Sequence, residues 1–191
     1  MRVTGGQLRG RVIRAPRGSH TRPTSERVRE ALFSILGPPP DNGRVLDLFA
    51  GSGALGIESL SRGAASAVFV EQAGNVHRNL KQTLHELDLE AQSVVVRANV
   101  LSWIPMCETR TPNHSSSTFG PFHWVFADPP YQGDLADRTL ALVAKSGLLT
   151  SDGILILEHD RRNSLETKHD SLVRTDQRSY GDTRLSFYTK P

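Results

Sequence analysis

Two short stretches hold residue types that chemistry would use. Residues 45 to 56 read Val-Leu-Asp-Leu-Phe-Ala-Gly-Ser-Gly-Ala-Leu-Gly. Gly51, Gly53 and Gly56 satisfy the G-x-G-x-x-G pattern, which several nucleotide-type cofactors share. Phe49 and Ala50 lead into a turn where backbone can approach a ligand with no Cβ in the way. Asp47 narrows the choice. A carboxylate four residues before Gly51 repels a pyrophosphate seated at a helix N-terminus. It attracts a cofactor carrying a cation, and S-adenosylmethionine has both a sulfonium and an α-ammonium. An acid here also suits the capping of a turn, so both readings stay open.

The second stretch is Asp128-Pro129-Pro130-Tyr131. Two successive prolines fix φ and lack N–H donors, so the segment is stiff. It presents a carboxylate, the Pro129 carbonyl and an aromatic ring. That set suits a planar heterocycle with an exocyclic amine: two acceptors for the amine hydrogens and a ring to stack on the base.

These groups need elements to position them. Arg44 to Phe49 reads as a strand buried on both faces. Ala54 to Ser61 reads as a helix, closed by Arg62 and Gly63. Strand, glycine turn and helix open a doubly wound α/β domain, with ligand at the carboxyl end of the strand. Ala65 to Glu71 is the second strand. Glu71 lies twenty residues past Gly51, where this architecture grips ribose hydroxyls, and Gln72 follows it. A helix over 75–87 and a strand over 93–97 come next. Asn99 and Val100 then sit at the same rim, with Asn99 equally suited to an adenine edge or to a turn. A short helix over 100–106, a strand over 122–127, a helix over 136–145 and a strand over 153–157 complete the parallel part. Residues 172–178 and 184–188 predict an antiparallel pair at the far edge, for seven strands in all.

Ahead of this core, residues 2–14 read as a small hairpin and Glu26 to Leu36 as a helix capped by Thr24 or Ser25. Gly37 to Pro40 then marks a boundary, giving an extension over 1–40 and a core domain over 41–191. Residues 108–121 lack periodicity and read as an exposed loop.

A chain of 191 residues with 37% hydrophobic and 23% charged residues fits one globular domain. No apolar run approaches the length of a membrane span. The single cysteine, Cys107, excludes an internal disulfide and a cysteine-based zinc site, and fits a reducing cytoplasm. The seven histidines show no H-E-x-x-H spacing, and no metal is expected. Net charge is +3, but residues 1–30 hold eight arginines against Glu26 and Glu30, a balance of +6. A basic arm on a mildly acidic body points to a polyanion. Arg9, Arg11, Arg14, Arg17 and Arg22 are the candidates, since guanidinium fits phosphate bidentately.

The motifs as a set are recognisable. Asp128 to Tyr131 resembles the (Asn/Asp)-Pro-Pro-(Tyr/Phe) motif of amino-methyltransferases, and residues 45–56 resemble their cofactor motif. More narrowly, four segments resemble the RsmD family of bacterial 16S ribosomal RNA (guanine-N2)-methyltransferases. They are Gly5-Gly6 through Arg11, Arg22-Pro23-Thr24 through Phe33, Leu46 through Ala64, and Tyr180 through Thr183. The resemblance implies a Rossmann-like class I fold, S-adenosyl-L-methionine as cofactor, and a guanine of the small ribosomal subunit, or of an assembly intermediate, as target. It departs in the long 108–121 loop and at Asn99, where related enzymes often carry an acid. Competing readings are a DNA adenine methyltransferase, a nicotinamide-dependent dehydrogenase and a non-catalytic RNA-binding module. The dehydrogenase gives Asp47 and Asp128–Tyr131 no task, the RNA-binding module explains only the arm, and a DNA enzyme usually needs a target-recognition domain for which the chain has no room.

Overall fold

The computed structural model describes residues 1–14, 26–108, 119–131 and 133–191. Its elements are α1 (Glu26–Leu36), β1 (Arg44–Leu48), α2 (Ala54–Ser61), β2 (Ser66–Val70), α3 (Gly74–Glu86), β3 (Ser93–Val96), α4 (Val100–Glu108), β4 (Phe122–Ala127), α5 (Leu135–Lys145), β5 (Leu149–Asp160), β6 (Lys168–His169), β7 (Leu172–Tyr180) and β8 (Thr183–Thr189). The strands form one sheet in the order β3-β2-β1-β4-β5-β8-β7-β6. The first five pair in parallel, and β8, β7 and β6 add antiparallel.

Both faces of the sheet are covered, because alternate residues of each central strand are apolar on opposite sides. Val45, Phe69, Trp124, Phe126 and Ile156 join Leu32 and Phe33 of α1, Ile57 and Leu60 of α2, and Leu80 and Leu84 of α3 in one core. Leu46, Leu48, Val68, Val70, Val125 and Leu155 pack on the other face with Trp103 and Ile104 of α4 and Leu140 and Val143 of α5. The chain therefore changes face between β3 and β4. In a doubly wound sheet that reversal opens a crevice beside the carboxyl end of β1.

Residues 1–14 and α1 share the first of these cores. Val3 and Ile13 are buried in it, and the Phe33 ring meets Trp124 edge-on at 6.1 Å. The expected hairpin is reduced to a single bridge, Arg2 to Val12, supported by Val3 N–H to the Arg11 carbonyl at 3.0 Å. What holds the segment down is Glu58 of α2. Its carboxylate accepts the backbone N–H groups of Thr4 and Gly5 and the Thr4 hydroxyl, and pairs with Arg29 at 3.3 Å and Arg62 at 2.9 Å. Gly6 lies so close that a Cβ there would meet the Ser61 carbonyl oxygen at 1.8 Å.

Two expectations are corrected. The sheet has eight strands rather than seven, because β6 adds two residues beyond β7, too few to leave a period in the sequence. β5 starts at Leu149 rather than Gly153, its early residues hidden by the polar Ser151 and Asp152 and by a register shift opposite Phe122 and Trp124. Thr24 and Ser25, with most of the 108–121 loop, lie outside the described residues.

Candidate active site

Strand register assembles the site. Leu48 is opposite Val70 and Ala127, Val70 opposite Val96, and Ala127 opposite Leu157. The next residues, Phe49, Glu71, Arg97, Asp128 and Glu158, therefore form one row along the carboxyl edge. The glycine turn rises from the middle of it. Phe49 is half-buried and takes φ +60°, a left-handed conformation that a residue with a Cβ rarely adopts. Strain of this kind gathers where a backbone must take one particular path, as at binding sites.

The three glycines have different tasks. Gly51 has φ +54°, and a Cβ there would have no neighbour nearer than 3.9 Å. That is room a ligand can use. At Gly53 a Cβ would strike Leu80 at 2.4 Å, and at Gly56 the Phe69 ring at 2.3 Å. Those two let α2 and the turn press onto α3 and the sheet.

Asp47 lies under the turn, 3% exposed, and accepts the Gly56 N–H at 3.0 Å. Burial pushes its carboxyl up to about 7 against the pull of the Gly56 N–H, and the nearby Glu71 charge adds to the rise. Its effect on a ligand is thus a field through the turn. Glu71 bridges Gly51 and Ala73, accepting their N–H groups at 3.0 and 2.6 Å. Its carboxylate is fixed before any ligand arrives. Ala50 is buried and donates its N–H to the Val70 carbonyl, tying the turn to β2.

Asn99 caps α4. Its Oδ1 accepts the Leu101 N–H at 2.9 Å, its carbonyl accepts the Trp103 N–H, and its amide donates to Gln72 Oε1 at 2.8 Å. The turn-forming role is real, and the Asn99–Gln72 pair also presents exposed amide groups beside Glu71. Val100 turns its side chain into the core, leaving backbone at the rim.

On the other flank of β1, Asp128 is half-buried, Pro129 buried and Pro130 exposed. Tyr131 is 49% exposed, yet its hydroxyl is held. It donates to Glu158 Oε1 at 2.9 Å and lies 2.8 Å from Thr183 Oγ1. Burial raises the phenol well above its ordinary range, the Thr183 hydrogen bond opposes this, and the Glu158 charge reinforces it. Glu158 and Thr183 carry no role in the sequence motifs. The signal for Glu158 is an acid closing the apolar run 154–157 within β5, as Glu71 closes the run of β2.

The basic residues lie elsewhere. Arg11 donates to the Glu86 carbonyl and Arg14 pairs with the Glu86 carboxylate at 2.9 Å, at the end of α3 farther from the row. Both are exposed, as is Arg9. Arg17 and Arg22 lie outside the described residues. Arg29 is fully buried on Glu58, so part of the arm's charge is spent inside the molecule.

A five-strand parallel sheet with an antiparallel extension, a glycine turn after β1 and Asp-Pro-Pro-Tyr after β4 define a class I methyltransferase. Residues 1–189 match the family model described as conserved hypothetical protein 95. YlbH of Bacillus subtilis (strain 168) is 36% identical over 190 residues, spanning 100% of this chain and 99% of its own. The Escherichia coli (strain K12) protein named ribosomal RNA small subunit methyltransferase D is 36% identical over 167 residues, covering 87% of this chain and 78% of its own. The solved structure of yhhF from Escherichia coli superposes with a TM-score of 0.84 at 32% identity, covering 100% of this chain and 97% of that one. The chain belongs to this family, the RsmD family.

Proposed function

We propose that this chain transfers a methyl group from S-adenosylmethionine to the exocyclic N2 amine of a guanine in 16S ribosomal RNA, within the small subunit or an assembly intermediate. The observation that carries this reading is the row itself. Asp128 and the tethered Tyr131 stand on one side of β1's carboxyl end and Glu71 on the other, with the open Gly51 turn between them. The 36% identity to ribosomal RNA small subunit methyltransferase D supports the choice of substrate.

The residues fit the cofactor. Gly51 leaves space for close approach, and the buried Asp47 favours a cation above the turn. Glu71 suits two ribose hydroxyls. Phe49, Ala50, Gly53 and Val100 shape the walls, while Gln72 and Asn99 suit an adenine edge. S-adenosylmethionine supplies a methyl carbon made electrophilic by its sulfonium. The remaining work belongs to the protein. A guanine amine is conjugated with its ring and is a poor nucleophile. Asp128 and the Pro129 carbonyl accept its two hydrogens and aim its lone pair in line with the methyl carbon. On transfer the N–C bond would form as the C–S bond breaks, and the positive charge growing on nitrogen would lie beside the Asp128 carboxylate. The surplus proton then leaves to Asp128 or through it to water. Pro130 stiffens the segment and Tyr131 stacks on the base. Arg9, Arg11 and Arg14 hold RNA phosphates at a distance from the reaction, and Arg17 and Arg22 are assigned to phosphate contact as well.

Labelled methyl transfer to small-subunit particles, with duplex DNA as competitor, tests this reading. Label is expected in the particle only. Asp128→Ala should lose most single-turnover activity while its cofactor affinity stays close to wild type. Near-normal turnover by that variant would remove Asp128 from the reaction.

A further inference from the structure

Tyr131 is held more firmly than a stacking ring requires. A stacking platform needs only its π face, and a phenylalanine would supply that. Here the hydroxyl is tied at two points on two different strands. Glu158 lies one residue past the last β4–β5 pair, Ala127 with Leu157, which puts it beside Asp128. It is 6% exposed and takes the phenol hydrogen at 2.9 Å. Thr183 opens β8, opposite Asp160 on β5, and its hydroxyl is 2.8 Å from the same oxygen. With the phenol hydrogen committed to Glu158, Thr183 is the donor of that second bond. The ring is therefore fixed at its hydroxyl by the sheet and at its Cα by the rigid Pro129-Pro130 segment. The residue as a whole stays about half exposed.

We propose that Glu158 and Thr183 are positioning residues for the base being methylated: they pin the Tyr131 hydroxyl so that the ring face is pre-set beside Asp128 before the base arrives. A ring free to rotate about two side-chain torsions would have to be ordered during binding, at a cost in affinity. A phenol donating to a carboxylate also has a more electron-rich ring, which favours the positive charge developing on the methylated amine. Glu158 thus acts on the reaction through Tyr131. This inference rests on the methyltransferase reading above, in that Tyr131 meets the base.

The test has two readouts, so that a failure here is separable from a failure of that reading. The first needs no substrate. In proton spectra of the full chain, the Tyr131 hydroxyl should give a resonance protected from solvent exchange, assigned by its absence in Tyr131→Phe. Thr183→Val and Glu158→Gln should weaken that protection. The second is steady-state methylation of small-subunit particles. Tyr131→Phe keeps the ring and loses both tethers, so kcat/KM should fall about tenfold, the scale of one lost hydrogen bond to a charged partner, with cofactor affinity unchanged. Glu158→Gln retains an acceptor and should keep more activity than Glu158→Ala. Thr183→Val, a near-isosteric change at the start of β8, should add little once Tyr131 is already Phe. A hydroxyl in free exchange would overturn the proposal whatever the substrate proves to be. So would a Tyr131→Phe enzyme with wild-type kcat/KM, or fully additive losses in Tyr131→Phe/Thr183→Val.

Discussion

Asp47 shows how much a single buried group can decide. Its carboxyl titrates near 7 rather than 3.8 because burial outweighs the one N–H it accepts from Gly56. A carboxyl whose folded value is raised binds an extra proton in the native state between those limits. The stability this supplies is complete below about 4 and is lost as pH rises through about 7. Asp47→Asn keeps an acceptor for Gly56 and never ionises. Its melting temperature should therefore gain on wild type as pH is raised from 4 to 8, which a series of thermal melts would measure. A constant difference would mean that Asp47 is ionised throughout. The same linkage predicts the cofactor's behaviour. A cation above the turn favours ionised Asp47, so binding should release a proton near neutral pH and tighten as pH rises from 6 to 8. Calorimetry in buffers of differing ionisation heat reads that proton directly.

At the scale of elements, the glycines of the β1–α2 turn separate binding from folding. Gly51→Ala meets no neighbour and pays only the left-handed backbone penalty, about 1–2 kcal/mol. Gly53→Ala pays a similar penalty at φ +76° and also drives a methyl into Leu80 at 2.4 Å. Gly51→Ala should lose cofactor affinity with a modest drop in melting temperature, whereas Gly53→Ala should lose stability first. Equal stability losses would contradict the division. The elements themselves were well marked in the sequence. α1, α2 and β4 have the bounds their patterns predict, and Arg62-Gly63 closes α2, with Gly63 at φ +107°. Asp47 inside β1 and the carboxyl-edge acids Glu71 and Asp128 were legible because each ends or interrupts an apolar run. The Tyr131 tether was not, since it joins residues 27 and 52 positions apart through the β5–β8 pairing. No local pattern records such a distance. The Glu58 node escaped for the same reason, its partners Thr4 and Arg29 lying far back along the chain.

On the scale of the whole molecule, the basic N-terminal segment is fastened to α2 through Glu58. Arg29 and Glu58 are both fully buried, so Glu58→Ala would strand a guanidinium and should cost about 3–5 kcal/mol of stability in denaturant titrations. For the exposed arginines the proposed task is phosphate contact. Exchanging Arg9, Arg11 and Arg14 together for Gln should weaken particle binding and flatten its dependence on salt, because fewer counterions are released. Equal slopes would make the arm a solubilising surface and move the RNA contact to Arg161, Arg162 and Arg184. The identity of the base that is methylated decides whether the proposed function holds. Mass spectrometry of nuclease-digested 16S ribosomal RNA, from cells with and without this protein, tests that most directly. One N2-methylguanosine should disappear with the protein and return when it is restored, but not with Asp128→Ala. An unchanged set of methylated guanines, or the loss of a methyl from another kind of nucleoside, would contradict it.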